Sequence, residues 1–249
     1  MLNKTLFPTE PYTHVIEAVV PTDSALPRVD ASPNASWHLS SPWPVFLGAV
    51  FLVSVPVLFQ ASLVRWQPEL SLSLTAAWLG LALWLCQRER TRLWGDLLVG
   101  FTWTWFAGSI YWGWMRWEPL WHLPVEAIAL PLAVICLMRR QAVVGSWFYL
   151  GSLFGTVVTD LYFYLCDVVP AWRQVMRANP DELHSIFQGA LARITTPWGL
   201  ALGLTLVGIL IFVGYMPLHL QRHYTWAFGG AVLSTLLVDG LFLIAAIAA

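Results

Sequence analysis

The sequence predicts an all-α, polytopic helical membrane protein with about seven transmembrane helices. Composition is the first reason: of 249 residues, 58% are hydrophobic and 11% charged, where soluble domains carry roughly 25% charged residues. So little polar surface cannot cover a water-exposed core. Second, from Trp43 onward apolar stretches of about 18 residues or more recur, the length that crosses a hydrocarbon layer about 30 Å thick. Third, unpaired backbone groups are too costly in lipid for open strands, and these runs are too long for barrel strands, so each span must be a helix. A net charge of −1 and the absence of a Lys/Arg-rich patch give no basis for nucleic-acid binding.

Residues 1 to about 41 are polar and proline-rich (Pro8, Pro11, Pro21, Pro27, Pro33), and they cannot bury enough surface to offset their ordering entropy, so a flexible tail is expected. The tail lacks the basic-then-apolar order of a secretory signal, which leaves the first span to act as the insertion signal. Residues 42–249 form the membrane domain. Its spans read as Trp43–Val64, Leu70–Cys86, Trp94–Trp114, Leu120–Met138, Val143–Val168, Ile194–Met216 and Trp226–Ala249. Pro56, Pro124 and Pro131 lie inside them and are expected to kink the helices without breaking them.

Between the fifth and sixth spans, about residues 167–193 place Trp172, Val175, Met176, Leu183, Ile186 and Phe187 among polar residues. Pro180-Asp181-Glu182 there has the pattern of a helix start. This predicts a pair of short amphipathic helices on the outer surface. Arg88, Arg90, Arg92, Arg139, Arg140 and Arg222 fall in short loops on the side of the tail, against Arg65 and Arg116 opposite. The positive-inside rule therefore puts the N-terminus in the cytoplasm and the C-terminus across the membrane. Cys86, Cys136 and Cys166 lie in or beside apolar stretches at no zinc or haem spacing, and read as small buried hydrophobes.

Spans five and seven resemble one another without gaps: Trp147, Thr156 and Asp160 line up with Trp226, Thr235 and Asp239 at a constant offset of 79. Chance among similar apolar strings is the alternative, since Leu, Val and Gly match easily. With one span between them, both copies run in the same direction and their aspartates sit at one depth. Gly151/Gly155 and Gly230/Ser234 form small-xxx-small faces that allow close backbone approach, and Gly199/Gly203 in span six repeats the spacing, so those three helices are expected to pack together. Thr156 and Thr235 stand one turn below Asp160 and Asp239, where their hydroxyls can support the carboxyls.

A charge at the bilayer centre costs about 2.5 to 3.5 kcal/mol, so acids there need partners or protons. Glu126, Asp160 and Asp239 fall toward the outer ends of three spans, with His122 one turn before Glu126 and Arg116 at the outer mouth. In one reading Glu126, Asp160, Asp239 and His122 converge on a site that binds a cation or relays protons. In the other, each acid is protonated or bonded to a neighbour and fixes helix packing. Asp96, at the start of span three, reads as a cap on its own helix. Of 16 tryptophans, most sit near span ends, as interfacial anchors do, while Trp78, Trp103 and Trp105 lie deeper, in the core or along a lipid, quinone or pigment groove. His219 and His223 read as loop residues. No phosphate-binding loop, zinc-protease motif or nucleophile elbow is present, so an enzyme of familiar type is not expected.

The runs Phe51-Leu-Val-Ser-Val-Pro-Val, Gly108-Ser-Ile-Tyr-Trp-Gly-Trp-Met-Arg-Trp-Glu-Pro-Leu-Trp-His-Leu-Pro-Val-Glu126, Trp147-Phe-Tyr-Leu-Gly-Ser-Leu-Phe-Gly-Thr-Val-Val-Thr-Asp160 and Leu233-Ser-Thr-Leu-Leu-Val-Asp-Gly-Leu-Phe242 resemble a family of cyanobacterial integral membrane proteins known only as a domain of unknown function. The resemblance covers about residues 43 to 245. It implies a photosynthetic bacterium, the thylakoid membrane with a lumenal C-terminus, and a loose association with photosystem II assembly. It implies no catalytic or binding residue. Two functions follow as expectations. The first is a non-catalytic scaffold or assembly factor in photosystem II biogenesis, in contact with membrane lipid and with photosystem II subunits or other assembly factors. No motif implies a cofactor, although chlorophyll, carotenoid or lipid are compatible with the Trp-rich helices. The second is a membrane transporter or cation- or proton-handling protein that uses the intramembrane carboxylates; a membrane-embedded lipid enzyme ranks below both.

Overall fold

The computed structural model describes residues 41–248, which are helical, with no strand among the described residues. The expected tail lies outside them. The helices are α1 (Trp43–Trp66), α2 (Pro68–Cys86), α3 (Arg92–Ile110), α4 (His122–Glu126), α5 (Leu130–Met138), α6 (Val143–Leu165), α7 (Val169–Val175), α8 (Pro180–Ile194), α9 (Pro197–Tyr215) and α10 (His223–Ala248). Proline starts several of them because its missing N–H is an unpaired donor there in any case: Pro68 opens α2, Pro180 opens α8 and Pro197 opens α9. The pair of short helices expected over 167–193 is present as α7 and α8. Glu182 caps α8 by accepting from the Asn179 N–H at 3.0 Å.

Six segments are long and apolar enough to cross a membrane: α1, α2, Pro119–Met138, α6, Pro197–Leu220 and α10. The chain is therefore an integral membrane protein with lipid-facing helices. The expected count of about seven is not met on this measure, because Trp94–Trp114 falls short. The physical reason is position. α3 buries Leu97, Leu98, Phe101, Thr102, Trp105 and Ser109 against its neighbours, so it does not need an apolar exterior and carries Asp96, three threonine and serine residues and three glycines instead.

The fourth span also departs from expectation. Its prolines interrupt the helix instead of only kinking it: a 3₁₀ turn at Pro119–Trp121 precedes α4, and another at Ala127–Ala129 separates α4 from α5. Each turn contains the residue four before a proline, Leu120 before Pro124 and Ala127 before Pro131. There an α-helical carbonyl would lose its donor and meet the pyrrolidine ring, and a tighter turn relieves both. Glu126 ends α4 at this interruption. α3 likewise runs on into a π-helical turn, Tyr111–Met115.

Contacts fix the directions. Gly48 of α1 lies by Trp94 and Leu97, and Gln60 bonds Trp105 and Ser109 further along, so α1 and α3 are parallel. Ser71 meets Ser109 while Cys86 meets Gly95, so α2 is antiparallel to α3. Trp43 packs on Trp226 at 4.9 Å and Ala49 on Gly230, which makes α10 parallel to α1. The start of α1 and the end of α10 therefore lie at opposite ends of the bundle, called here the Trp43 end and the Trp66 end.

α6 and α10 pack in register along their length, as the repeat predicts. A Cβ on Gly151 would stand 2.6 Å from the Phe228 carbonyl oxygen, one on Gly155 would collide with the Thr235 side chain, and Thr159 bonds Asp239 one turn on. Gly230 faces α1 instead, where a Cβ would stand 2.8 Å from the Phe46 oxygen, and Ser234 is buried with its hydroxyl on the Ala231 carbonyl. Gly199 meets α6 through its carbonyl, which accepts from the Tyr162 hydroxyl at 3.3 Å. It lies against the Ile194 and Arg193 carbonyls of the turn from α8, where Thr196 caps α9 by accepting from the Gly199 N–H at 3.1 Å. A Cβ on Gly203 would make only ordinary contact with the Tyr162 side chain, at 3.5 Å. α9 reaches α10 through Gly214 and Gly229, which the small-xxx-small pattern did not mark.

Asp96 corrects another expectation, since it caps a neighbouring helix and not its own. Its carboxylate accepts from the N–H groups of Val144 at 3.1 Å and Gly145 at 2.8 Å, the second and third residues of α6. An N-cap side chain normally fills this role, but Ala142 occupies that position, in left-handed backbone with φ 44, and has none to offer. Asp96→Ala is expected to destabilise the fold by about 2 kcal/mol, because two buried donors lose an ionic acceptor. Unfolding in detergent, followed by the loss of helical circular dichroism, measures the change.

Candidate functional site: a buried histidine–aspartate pair

α6 carries Asp160 five residues before its end, about 8 Å below the Trp66 end of the bundle at 1.5 Å per residue. α4 runs antiparallel beside it and is tied at two further points: the Tyr149 hydroxyl donates to the Glu126 carbonyl at 2.7 Å and the Tyr164 hydroxyl to the Pro119 carbonyl at 3.4 Å. Between these ties, His122 Nδ1 and Asp160 Oδ1 are 2.9 Å apart, with side chains 13% and 6% exposed. The pair either holds its proton on nitrogen and donates to a carboxylate, or holds it on the carboxyl and accepts it at the ring. A single proton can pass along that line.

Aromatic rings enclose the imidazole. Tyr111 lies 4.4 Å from the His122 ring by centroids, and Trp112 and Trp172 each lie 5.7 Å away. Trp112 and Trp172 stack at 5.6 Å, and Phe163 meets Trp172 edge-on at 5.4 Å. Trp172 comes from α7, which two attachments hold over the site. Its indole N–H donates to the Arg116 carbonyl at 3.1 Å, and Arg173 makes a forked pair with Glu118 at 2.7 and 3.2 Å. α7 is thus a cover, latched at the Trp66 end.

Asp160 Oδ2 and the Tyr111 hydroxyl are both buried with no hydrogen-bond partner among the described residues. A buried polar atom left so costs about 1 to 3 kcal/mol, which a proton or an ordered water would offset. Tyr111, Glu126 and Asp239 all lie within electrostatic reach of Asp160. The four residues expected to converge, Glu126, Asp160, Asp239 and His122, are therefore neighbours. They do not form a metal cage: no three His, Cys, Asp or Glu residues among the described ones are grouped to hold an ion.

The expected threonine supports are rearranged. Thr156 donates to the Ser152 carbonyl at 3.3 Å and Thr235 to the Ala231 carbonyl at 3.5 Å, each one turn back on its own helix. Helical threonines readily bond that carbonyl. The carboxyls are served from other helices instead: His122 for Asp160, and the Thr159 hydroxyl for Asp239 at 2.8 Å. Arg116 does not reach the acids. Its guanidinium donates to the Trp112 carbonyl at 2.9 Å and lies 4.5 Å above the Trp117 ring. Thr159, Tyr111, Trp172, Glu118 and Arg173 were missed in the sequence; the only signal was that Thr159 adjoins Asp160 and that Trp172 sits on the apolar face of a short helix. Trp78 and Trp105, by contrast, pack with Phe101 in the core, and the Trp105 indole donates to the Ser71 carbonyl.

The latch is sensitive to acid. The hydrogen bond from Arg173 holds the Glu118 carboxyl below its usual range, and its backbone bond to Leu120 adds to this. A lowered folded-state value means that the contribution is present above about pH 4.3 and is lost as pH falls further. Both groups are more than a third exposed, so salt weakens the pair as well. Trp172→Ala is expected to raise modification of His122 by a water-soluble imidazole reagent about tenfold at neutral pH, read by peptide mass spectrometry.

Residues 49–247 match a family model described as a protein of unknown function (DUF3120). The chain belongs to the DUF3120 family. No curated protein and no solved structure matches it. The DUF3120 match takes in the whole histidine–aspartate pair, its aromatic enclosure and the α7 cover, and it begins within α1.

Proposed function

We propose that this chain is a proton-handling protein of the thylakoid membrane, with the His122–Asp160 pair as its working group. One observation carries the reading: a histidine and an aspartate share a hydrogen bond inside a membrane-spanning bundle, and the second aspartate oxygen has no hydrogen-bond partner among the described residues. Ionisable groups at that depth are costly and serve mainly proton or ion pathways. Glu126 and Asp239 flank the pair and extend the set of proton acceptors across α4, α6 and α10. A proton relay is favoured over cation binding because the acids have separate partners in place of a shared cage.

In this reading the chain crosses seven times. α3 packs antiparallel to α2 and parallel to α6, so it traverses the same layer although its own surface is not apolar. The arginine distribution puts the N-terminus in the cytoplasm and the C-terminus in the lumen, and the pair then lies in the lumenal half under a lumenal cover. The thylakoid and the cyanobacterial source rest on the resemblance of the sequence. The test is proton flux into liposomes carrying the purified protein and a pH-sensitive dye inside. Flux above empty liposomes, absent in Asp160→Asn and His122→Gln, is the expected result; no flux from the intact protein would refute the reading.

A non-catalytic scaffold or assembly factor for photosystem II biogenesis is the second reading. It is favoured by the separate partners of Asp160 and Asp239, which can hold helices together without moving anything. Its test is affinity purification from gently solubilised membranes, where recovery of photosystem II subunits supports it and their absence counts against it.

A further inference from the structure

We propose that the Trp66 end of α1 carries a binding site for an anionic membrane lipid, with the guanidinium groups of Arg65 and Arg116 holding its phosphate or sulfonate headgroup. This goes beyond proton handling and does not depend on it. Arg65 is exposed in the last turn of α1, and Arg116 follows the π-helical turn that packs beside it. Neither has an acidic partner among the described residues, and the chain packs closely between them: a Cβ on Gly113, three residues before Arg116, would stand 3.1 Å from Pro68, three residues after Arg65. Burial first, and then the like charge of Arg65, pull the Arg116 guanidinium below its ordinary value. Two such cations held together without an acid are relieved by an anion between them.

The chemistry and the level both fit a lipid headgroup. Arg116 uses one of its N–H donors on the Trp112 carbonyl, which fixes the side chain and leaves four for an oxyanion. A groove of about 540 Å³ opens at Arg65, lined by Ala61, Ser62, Arg65 and Trp66 of α1. Trp66 is 86% exposed, and exposed indoles mark the headgroup level of a bilayer. Below the groove, Leu58 and Phe59 of α1 offer an exposed apolar track for an acyl chain. A free inorganic anion would have no use for that track, so the occupant inferred is a membrane lipid.

The probe is phosphatidylglycerol against phosphatidylcholine in equal amounts in mixed micelles, with retained lipid counted by native mass spectrometry. The intact protein is expected to retain the anionic lipid about tenfold over the zwitterionic one. Arg65→Gln with Arg116→Gln should abolish that preference, whereas Arg139→Gln with Arg140→Gln, at the other end of the bundle, should preserve it. Equal retention of the two lipids by the intact protein would overturn the proposal, and this arm needs no variant to fold. Unchanged preference in the Arg65 and Arg116 variant would overturn it too. Displacement of the lipid by inorganic phosphate at matched concentration would overturn the lipid as the occupant.

Discussion

Gly100→Val is expected to prevent the bundle from forming stably. A Cβ at this position would overlap the carbonyl oxygen of Gly145 and stand 2.6 Å from its carbonyl carbon. The obstacle is backbone, which cannot rotate aside as a side chain can. α3 and α6 would have to separate, and the Asp96 cap on Val144 and Gly145 would stretch with them. A cost above about 4 kcal/mol is expected, from overpacking and cap loss combined. Total stabilities run at about 5 to 15 kcal/mol, so little of the folded form should survive. Gly80→Ala and Gly208→Ala supply the contrast, since no atom of the described residues outside the helix's own neighbouring backbone lies within 4 Å of a Cβ at either site. Each removes a helix-disfavouring residue and should be neutral or raise stability by up to about 1 kcal/mol. Monodispersity and thermal unfolding in detergent read all three.

Asp160→Asn and Asp160→Ala should separate chemistry from packing at the pair. Asparagine keeps the size of the side chain and a hydrogen bond to His122 but cannot hold a transferable proton. It is expected to fold with a loss within about 2 kcal/mol and to lower proton flux by about 100-fold or more. Alanine leaves the imidazole buried without its partner, which costs about 3 to 5 kcal/mol where the pair is ionised. His122→Gln combined with Asp160→Asn should be scarcely worse than either alone, because each already breaks the same proton path. Additive losses of flux would mean that the two residues act separately.

Composition and span length made the membrane class legible, and the constant offset from Trp147 to Asp160 and from Trp226 to Asp239 made the parallel pairing of α6 and α10 legible. The hidden features are those that depend on which neighbour a helix finds. Trp94–Trp114 reads as a lipid-crossing span from its length, yet α3 is the interior helix and is less apolar for that reason. Gly100 and Gly145 stand 45 positions apart with no shared motif, so their backbone-to-backbone contact left no trace in local spacing. The site was half legible. His122 and Asp160 were marked as costly ionisable groups in spans, but nothing local pairs one with the other. Thr156 and Thr235, chosen for helical spacing, donate to the Ser152 and Ala231 carbonyls of their own helices, while Thr159 reaches Asp239 across the interface. The α7 cover was visible as an amphipathic stretch, and its aim at His122 was not.

Nitrogen-15 spectra of histidine-labelled protein in lipid test the His122–Asp160 bond most directly. One imidazole, identified by its loss in His122→Gln, is expected to show a hydrogen-bonded Nδ1 whose shift moves in Asp160→Asn and holds steady when salt is added outside. A His122 signal that is unmoved by Asp160→Asn and titrates with the bulk solution like a surface histidine would contradict the buried pair and the proton path built on it.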